Sequence, residues 1–202
     1  MNKISLYGAG GHAFAAIELI NSLGEYKPIV VFDDQPKKAK ILDVPVKKYS
    51  IVEPSESLCI SIGDNNNRKK IALEFDAKYP SFVHQSVVSY PSVTTGKGTL
   101  VLPNVVLDAE VAIGNFCIIN NNATVSHNVI LKDFVHIAIQ AAIAGGVEVG
   151  EGTLIGAGSV ILPEIKIGKW ATIGAGAIIT KDVPDFAVVY GNPAKIIRYN
   201  TL

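Results

Sequence analysis

Two cysteines in 202 residues, Cys59 and Cys117, are too few and too far apart for a disulfide framework or a cysteine metal cluster. They fit a reducing compartment. Charge is also scarce: 18% of residues carry one, and 18 Lys and Arg balance 18 Asp and Glu. A net charge of zero argues against a nucleic-acid binder, which shows a basic excess. No uninterrupted apolar run approaches the roughly 20 residues that span a bilayer. Met1 to Gly11 lacks the long apolar core of a signal peptide. These absences predict a cytoplasmic protein with no membrane or nucleic-acid partner. What is plentiful is apolar side chain, 49% of the whole. That supports a large core and excludes disorder. The length allows one large domain or two small ones.

The apolar residues follow a period of six. Every sixth residue from Val83 to Ile179 is aliphatic, apart from Ser89 and Thr95 near the start. Four residues after each, a second series runs from Val87 to Val183 in small or β-branched residues. Neither a helix nor a plain strand repeats this way. Short strands joined by tight turns do, each forming one side of a coil. Three strands per coil predict between five and six coils, stacked at roughly the 4.8 Å of neighbouring strands. Gly114, Gly150, Gly156, Gly168 and Gly174 each follow an inward aliphatic residue, where a side chain would crowd the turn. Beyond Val183 the period stops. Gly191-Asn192-Pro193-Ala194-Lys195 predicts a turn and a short segment packed over the end of the coil.

The first 80 residues read differently. Lys3 to Tyr7 predicts a strand, Gly8 to His12 a glycine-rich turn, and Ala13 to Leu23 a helix that Gly24 stops. Pro28 to Phe32 predicts a second strand, with Asp33 and Asp34 at its tip. Gly8, Gly10, Ala13 and Asp33 match a dinucleotide fingerprint. A helix N-terminus there favours phosphate, and the acids can accept from hydroxyls or base nitrogens. The alternative is a tight turn with no ligand. Full NAD binding is disfavoured, since only about half of a doubly wound domain precedes the repeats. Ile41 to Glu56 is poorly patterned, with turn signals at Pro45 and Pro54. Leu58 to Ile62 predicts another strand, Gly63 to Asn67 a polar corner, and Arg68 to Ala77 a helix that Asn65 or Asn66 caps. Both polar corners fall at the carboxyl edge of a parallel sheet, where ligands bind. Tyr79-Pro80 marks a boundary, giving an α/β half-Rossmann-like domain over residues 1–80 and a β-helix over 81–202.

Within the repeats, Asn120-Asn121-Asn122, Ser126-His127-Asn128 and His136 are residues a coil does not require. Both histidines sit at outward positions. Each alone would be a surface histidine without a role; together, beside an asparagine cluster, they point to chemistry. Acyl transfer needs a base, and imidazole ionises near working pH. His84, in the first hexad, reads as structural.

The hexads, the Gly191 to Lys195 tail and the Tyr7 to His12 turn together resemble one family. It is the hexapeptide-repeat sugar acetyltransferases, comprising sialic-acid O-acetyltransferases and bacillosamine N-acetyltransferases. The resemblance covers nearly the whole chain. It implies a left-handed coil, where general topology would favour right-handed crossovers. It also implies a homotrimer, acetyl-CoA in a groove between adjacent subunits, and no metal. By resemblance His127 is the base, Asn120 lies near the reacting centre, and His136 lies beside the thioester. Ala157 and Ala175 touch the CoA arm. Gly145, in a bare turn, is the candidate backbone donor to the oxyanion. Gly10, Gly11, His12, Asp33, Asp34, Gly63 and Asn66 correspond to nucleotide-sugar contacts. Two positions depart from the pattern. Asn128 stands where some members carry an acid behind the base, leaving Asp108 or Asp133 as alternative carboxylates. Asn66 stands where an acid is common. The implied activity is N-acetylation of a nucleotide-linked amino sugar, a UDP-4-amino-4,6-dideoxy sugar. The alternatives are O-acetylation of sialic acid or another free sugar, and a non-catalytic nucleotide-sugar-binding scaffold.

Overall fold

A computed structural model describes residues 1–49 and 57–201. The expected turn at Pro54 and the end of the poorly patterned stretch lie outside the described residues. The chain begins with strand β1 (Asn2–Tyr7), helix α1 (His12–Leu23) and strand β2 (Tyr26–Asp33). Strands β3 (Lys40–Ile41), β4 (Val44–Lys48) and β5 (Leu58–Ile60) follow, then helix α2 (Asn65–Glu74). The sheet order is β3-β4-β2-β1-β5, and β4, β2, β1 and β5 run parallel. Helix α1 buries Ala13, Ala16, Ile17, Leu19 and Ile20 and ends at Gly24 with φ 70°.

Helix α2 starts three residues before the expected Arg68. Its N-cap is Asp64, whose carboxylate accepts from the Asn67 backbone N–H at 2.8 Å, so neither Asn65 nor Asn66 is the cap. An acid there also favours the positive end of the helix. The Asn-rich run hid the start because asparagine itself suits a cap.

From β6 (Phe82–Val83) to β22 (Ile178–Ile179) the chain makes two-residue strands at six-residue intervals. Every third strand pairs in parallel with its counterpart 18 residues on. The result is a three-faced coil, with corners between its first and second, second and third, and third and first faces. Both predicted series point inward, and from Thr99 onward nearly all are fully buried in one continuous core. The two polar exceptions, Ser89 and Thr95, belong to the first coil. They are exposed, because no coil lies beneath them.

The corners hold a second, unanticipated period. Every sixth residue from Gly98 to Gly176 has φ between 54° and 70°. Five are glycine. The others include Asn104, Phe116, Asn122, Asn128, Phe134 and Trp170. A left-handed side-chain residue costs roughly 1–2 kcal/mol, so the buried core and the strand ladder must offset it. The glycines expected where a side chain would crowd the backbone are a different set, and the expectation holds. A Cβ on Gly150 or Gly168 would come within 2.4 Å of backbone in the next coil, and neither has positive φ.

The tail is more regular than expected. Strand β23 (Ala187–Gly191) joins the first face and pairs with the antiparallel β24 (Ala194–Tyr199). Ala187 and Val189 enter the coil core and close its end.

The α/β unit covers the first face at its start. The outward residues of that face stack as Phe82, Leu100, Ile118, His136, Leu154 and Thr172. Phe82, Leu100 and Ile118 are buried, while His136 and those beyond are half-buried. His136 therefore sits where the cover ends.

Candidate active site

At the carboxyl edge of β1, β2 and β5 lies a cavity of about 380 Å³. Gly10, Gly11, His12, Asp33, Asp34 and Gly63 line it together, so the two polar corners meet as the parallel order requires. Gly8 is a structural glycine: its φ is 105°, and a Cβ would press on Ile62 at 2.4 Å. A Cβ on Gly10 or Gly11 would meet nothing within 4 Å. Packing does not demand those two glycines, and they leave the mouth of helix α1 open. That helix has no side-chain cap; Ala13 N donates to Gly10 O at 3.2 Å, and the N–H groups of Gly11 and His12, which line the cavity, have no partner among the described residues. Asp33 ties the turn in place, accepting from Ala9 N at 2.8 Å and from Gln35 N at 2.9 Å. Asp34 accepts from the Tyr7 hydroxyl at 2.5 Å. Burial and that carboxylate push the Tyr7 phenol up, so it stays a donor.

Asn66 lies elsewhere. It is exposed and lines a neighbouring cavity of about 300 Å³ with His136 and Trp170. Because α2 begins at Asn65, the α2 residues facing the first cavity are Asn67, Lys70 and Ile71. Sequence reading missed Lys70. Its spacing of three from Asn67 on one helix face was the available signal.

His136 sits between the two units. Its Nδ1 lies 3.3 Å from the Gly63 carbonyl oxygen and its Nε2 lies 3.4 Å from Asn120 Nδ2. The His12 ring is 6.4 Å away, centroid to centroid. Burial, then the Arg68 guanidinium and His12, lower His136 to about 3 against a small opposing effect of the Gly63 carbonyl. Burial and then Arg68 lower His12 to about 4, and its Nε2 has no hydrogen-bond partner among the described residues. Both rings are neutral at working pH.

Arg68, also unanticipated, is buried beneath this group. Nε donates to Phe116 O at 2.8 Å, and Nη1 to Ile62 O and Gly63 O, both at 3.1 Å. Nη2 donates to Asn65 Oδ1 at 2.7 Å and to Phe134 O at 2.9 Å. Asn65 Nδ2 donates to Gly152 O at 2.9 Å. Phe116, Phe134 and Gly152 are the left-handed residues of successive turns at the third corner. The rings of Phe116 and Phe134 stack there, 5.2 Å apart. Lys69 reaches over Phe134 and Trp170 and pairs with Glu151. Helix α2 is thereby fixed in register with the coils.

His127 lies at the second corner, between the second and third faces, opposite the face that carries His136. Its Nδ1 is 3.0 Å from Asn128 Oδ1. Neither proposed carboxylate reaches it: Asp108 accepts from Ala109 N, and Asp133 from Asn115. Asn128 has φ 57°, so its turn itself favours asparagine. Gly145 lies one coil on at the same corner. A Cβ there would meet His127 Nε2 at 2.6 Å, so the ring lies over the bare Gly145 backbone. The Gly145 N–H makes no hydrogen bond among the described residues. Ala157 and Ala175 are exposed at the first corner, 18 residues apart, on the side of Asn120. The sequence-predicted residues thus form two groups within one chain. Asn120 and His136 meet beside Gly63, which lines the glycine-turn cavity, with Ala157 and Ala175 further along the corner of Asn120; His127, Asn128 and Gly145 stand at another. Among the described residues the His84 ring bonds Ser86 alone, at 2.8 Å to its hydroxyl. Among the described residues no group of His, Cys, Asp or Glu could hold a metal ion.

Comparison with known proteins follows this division. Residues 3–75 match the family model of the PglD N-terminal domain, and residues 148–181 match that of the bacterial transferase hexapeptide. No curated protein sequence matches the chain. Among solved structures, a mutant of perosamine N-acetyltransferase from Caulobacter crescentus, in complex with CoA and GDP-perosamine, is 34% identical. It covers 97% of each chain at a TM-score of 0.91. The acetyltransferase domain of PglB from Neisseria gonorrhoeae, in complex with acetyl coenzyme A, is 33% identical, over 98% of this chain and 100% of that one, with a TM-score of 0.90. WeeI from Acinetobacter baumannii is 26% identical over 98% and 100%, with a TM-score of 0.87. With a glycine-lined cavity in its first unit and the hexad coil after it, this chain belongs to the left-handed β-helix family of acetyl-CoA-dependent sugar N-acetyltransferases.

Proposed function

We propose that the protein transfers the acetyl group of acetyl-CoA to the amine of a nucleotide-linked amino sugar, a UDP-4-amino-4,6-dideoxy sugar. The GDP carrier of the Caulobacter enzyme makes guanosine the alternative to test. The observation that carries the reading is the open glycine turn at the uncapped start of α1, with Asp33, Asp34 and Lys70 around it. It suits a phosphate-bearing ligand better than a free sugar. The nucleotide half occupies that cavity, and the amine reaches toward the coil.

The amine nitrogen attacks the thioester carbonyl carbon, and His127 Nε2 takes its proton. Asn128 Oδ1 accepts from Nδ1–H and so leaves Nε2 unprotonated for the task. The Gly145 N–H, free and directly under the ring, donates to the oxyanion. Collapse of the tetrahedral adduct breaks the carbon–sulfur bond and releases CoA as the thiol.

His127 and Gly145 lie at one corner and Asn120, His136, Ala157 and Ala175 toward another, and one acetyl group cannot serve both within a chain. A second copy resolves this if the second corner of one subunit faces the first corner of the next, in a closed trimer. The site is then shared, and CoA runs between subunits. Residues 1–80 supply the sugar site and 81–202 the acyl site, in the cytoplasm.

The test is turnover with acetyl-CoA and UDP- or GDP-linked 4-amino sugars, beside sialic acid. N-acetylation of a nucleotide sugar is expected; acetylation of sialic acid alone overturns the reading. His127→Ala should lower kcat by roughly 10²–10⁴-fold while CoA still binds.

A further inference from the structure

Arg68 spends all five of its N–H groups on five acceptors, none a carboxylate. A buried guanidinium held only by carbonyls and one amide is costly to desolvate. Its position explains what it does. One acceptor, the Gly63 carbonyl, is also the partner of His136 Nδ1. A carbonyl can only accept, so Nδ1 carries the proton. The other side of the ring agrees independently. Asn120 Oδ1 accepts from the Asn121 backbone N–H at 2.9 Å, which turns the amide so that its Nδ2 donates to His136 Nε2. Both contacts therefore demand the same tautomer, with hydrogen on Nδ1 and a lone pair on Nε2.

We propose that Arg68 is a positioning residue for the acyl-transfer step: by pinning the Gly63 carbonyl against the third corner, it holds His136 as the neutral Nδ1–H tautomer, with Nε2 the acceptor that fixes the Asn120 amide. The catalytic part of this inference rests on the function proposed above; the tautomer does not. An Nε2 acceptor cannot donate to the thioester oxygen. That leaves the oxyanion to the Gly145 N–H, and the one Nε2 lone pair holds the Asn120 amide in place. The guanidinium charge acts in the same direction, disfavouring a second proton on the ring.

The test is two-bond ¹H–¹⁵N spectroscopy on ¹⁵N-histidine-labelled protein at pH 7, with His136 assigned by its loss in His136→Gln. An Nδ1-protonated, Nε2-unprotonated ring is expected. An Nε2–H or doubly protonated ring overturns the proposal, whether or not any sugar is acetylated. Arg68→Lys keeps the charge and loses the fork. It should give a mixture of tautomers and lower kcat by about tenfold to a hundredfold, with KM for the nucleotide sugar within about twofold. A folded Arg68→Lys with one unchanged tautomer and wild-type kcat overturns the role. Should that variant fail to fold, Asn65→Ala frees one fork nitrogen and leaves the guanidinium. It should broaden the His136 signals toward a mixture, and an unchanged spectrum with unchanged kcat overturns the role equally.

Discussion

By the resemblance, Asn128 stands where an acid would follow the proposed base, and its backbone accepts either residue. With φ 57° it occupies a left-handed position that asparagine and aspartate both accept readily. Its Oδ1 orients His127 without adding charge. Asn128→Asp should therefore fold with stability within about 0.5 kcal/mol of the parent. By stabilising imidazolium it should raise kcat up to about tenfold, the equivalent of roughly 1.4 kcal/mol. Steady-state kinetics beside urea unfolding check both halves. His136 and His12 supply a pH-dependence. Folding lowers them to about 3 and about 4, below the ordinary imidazole value. Between those values and about 6.5 the unfolded chain binds more protons. The stability they contribute is present above about 6.5 and lost progressively as pH falls toward 4. The urea midpoint should drop between pH 7 and pH 5, and His136→Gln should flatten that drop. A midpoint equally pH-dependent in the variant contradicts it.

At the scale of elements, glycines in the coil do two separable jobs. Gly150 has ordinary φ but no room, since a Cβ would lie 2.4 Å from Lys169 N. Gly158 has φ 64° and open space. Gly150→Ala should destabilise by about 1–3 kcal/mol through overpacking. Gly158→Asn should cost only a few tenths, because asparagine already holds this turn position at Asn104, Asn122 and Asn128. Thermal unfolding of the pair distinguishes the two jobs. The same contrast separates what sequence revealed from what it concealed. Ile155 and Ile161 announce the coil because burial constrains side-chain type at a fixed period. The left-handed series is nearly invisible, since Phe116, Gln140 and Trp170 carry no conformational signature. His127, His136 and Asn120 stood out as polar groups the coil does not need. Their distribution over different corners required the order of the faces. Asn66 was placed one residue off for a local reason: Asp64, not an asparagine, starts the helix.

For the whole molecule, the prediction concerns shared sites. A homotrimer should have three times the 21.4 kDa chain mass in light scattering. If His127 comes from one subunit and His136 from the next, then His127→Ala and His136→Ala chains, each inactive alone, should complement when co-expressed. Random assembly leaves both histidines intact in about a quarter of the sites. No recovered activity in the mixed trimers would place the whole site in one chain. The join between α/β unit and coil was the least legible feature of all. Arg68 read as the start of a helix, and nothing in sequence marks a side chain whose partners are main-chain carbonyls.

Those partners have an evolutionary consequence. Phe116, Phe134 and Ile62 meet Arg68 through their backbone, so changing any of these side chains leaves the acceptor in place. No substitution at these three positions can compensate for loss of the arginine. Across homologues this contact should leave no covarying pair. Arg68 should be kept as a lone invariant or lost together with the docking of the two units, and a contact map inferred from correlated substitutions would pass over this polar tie between them.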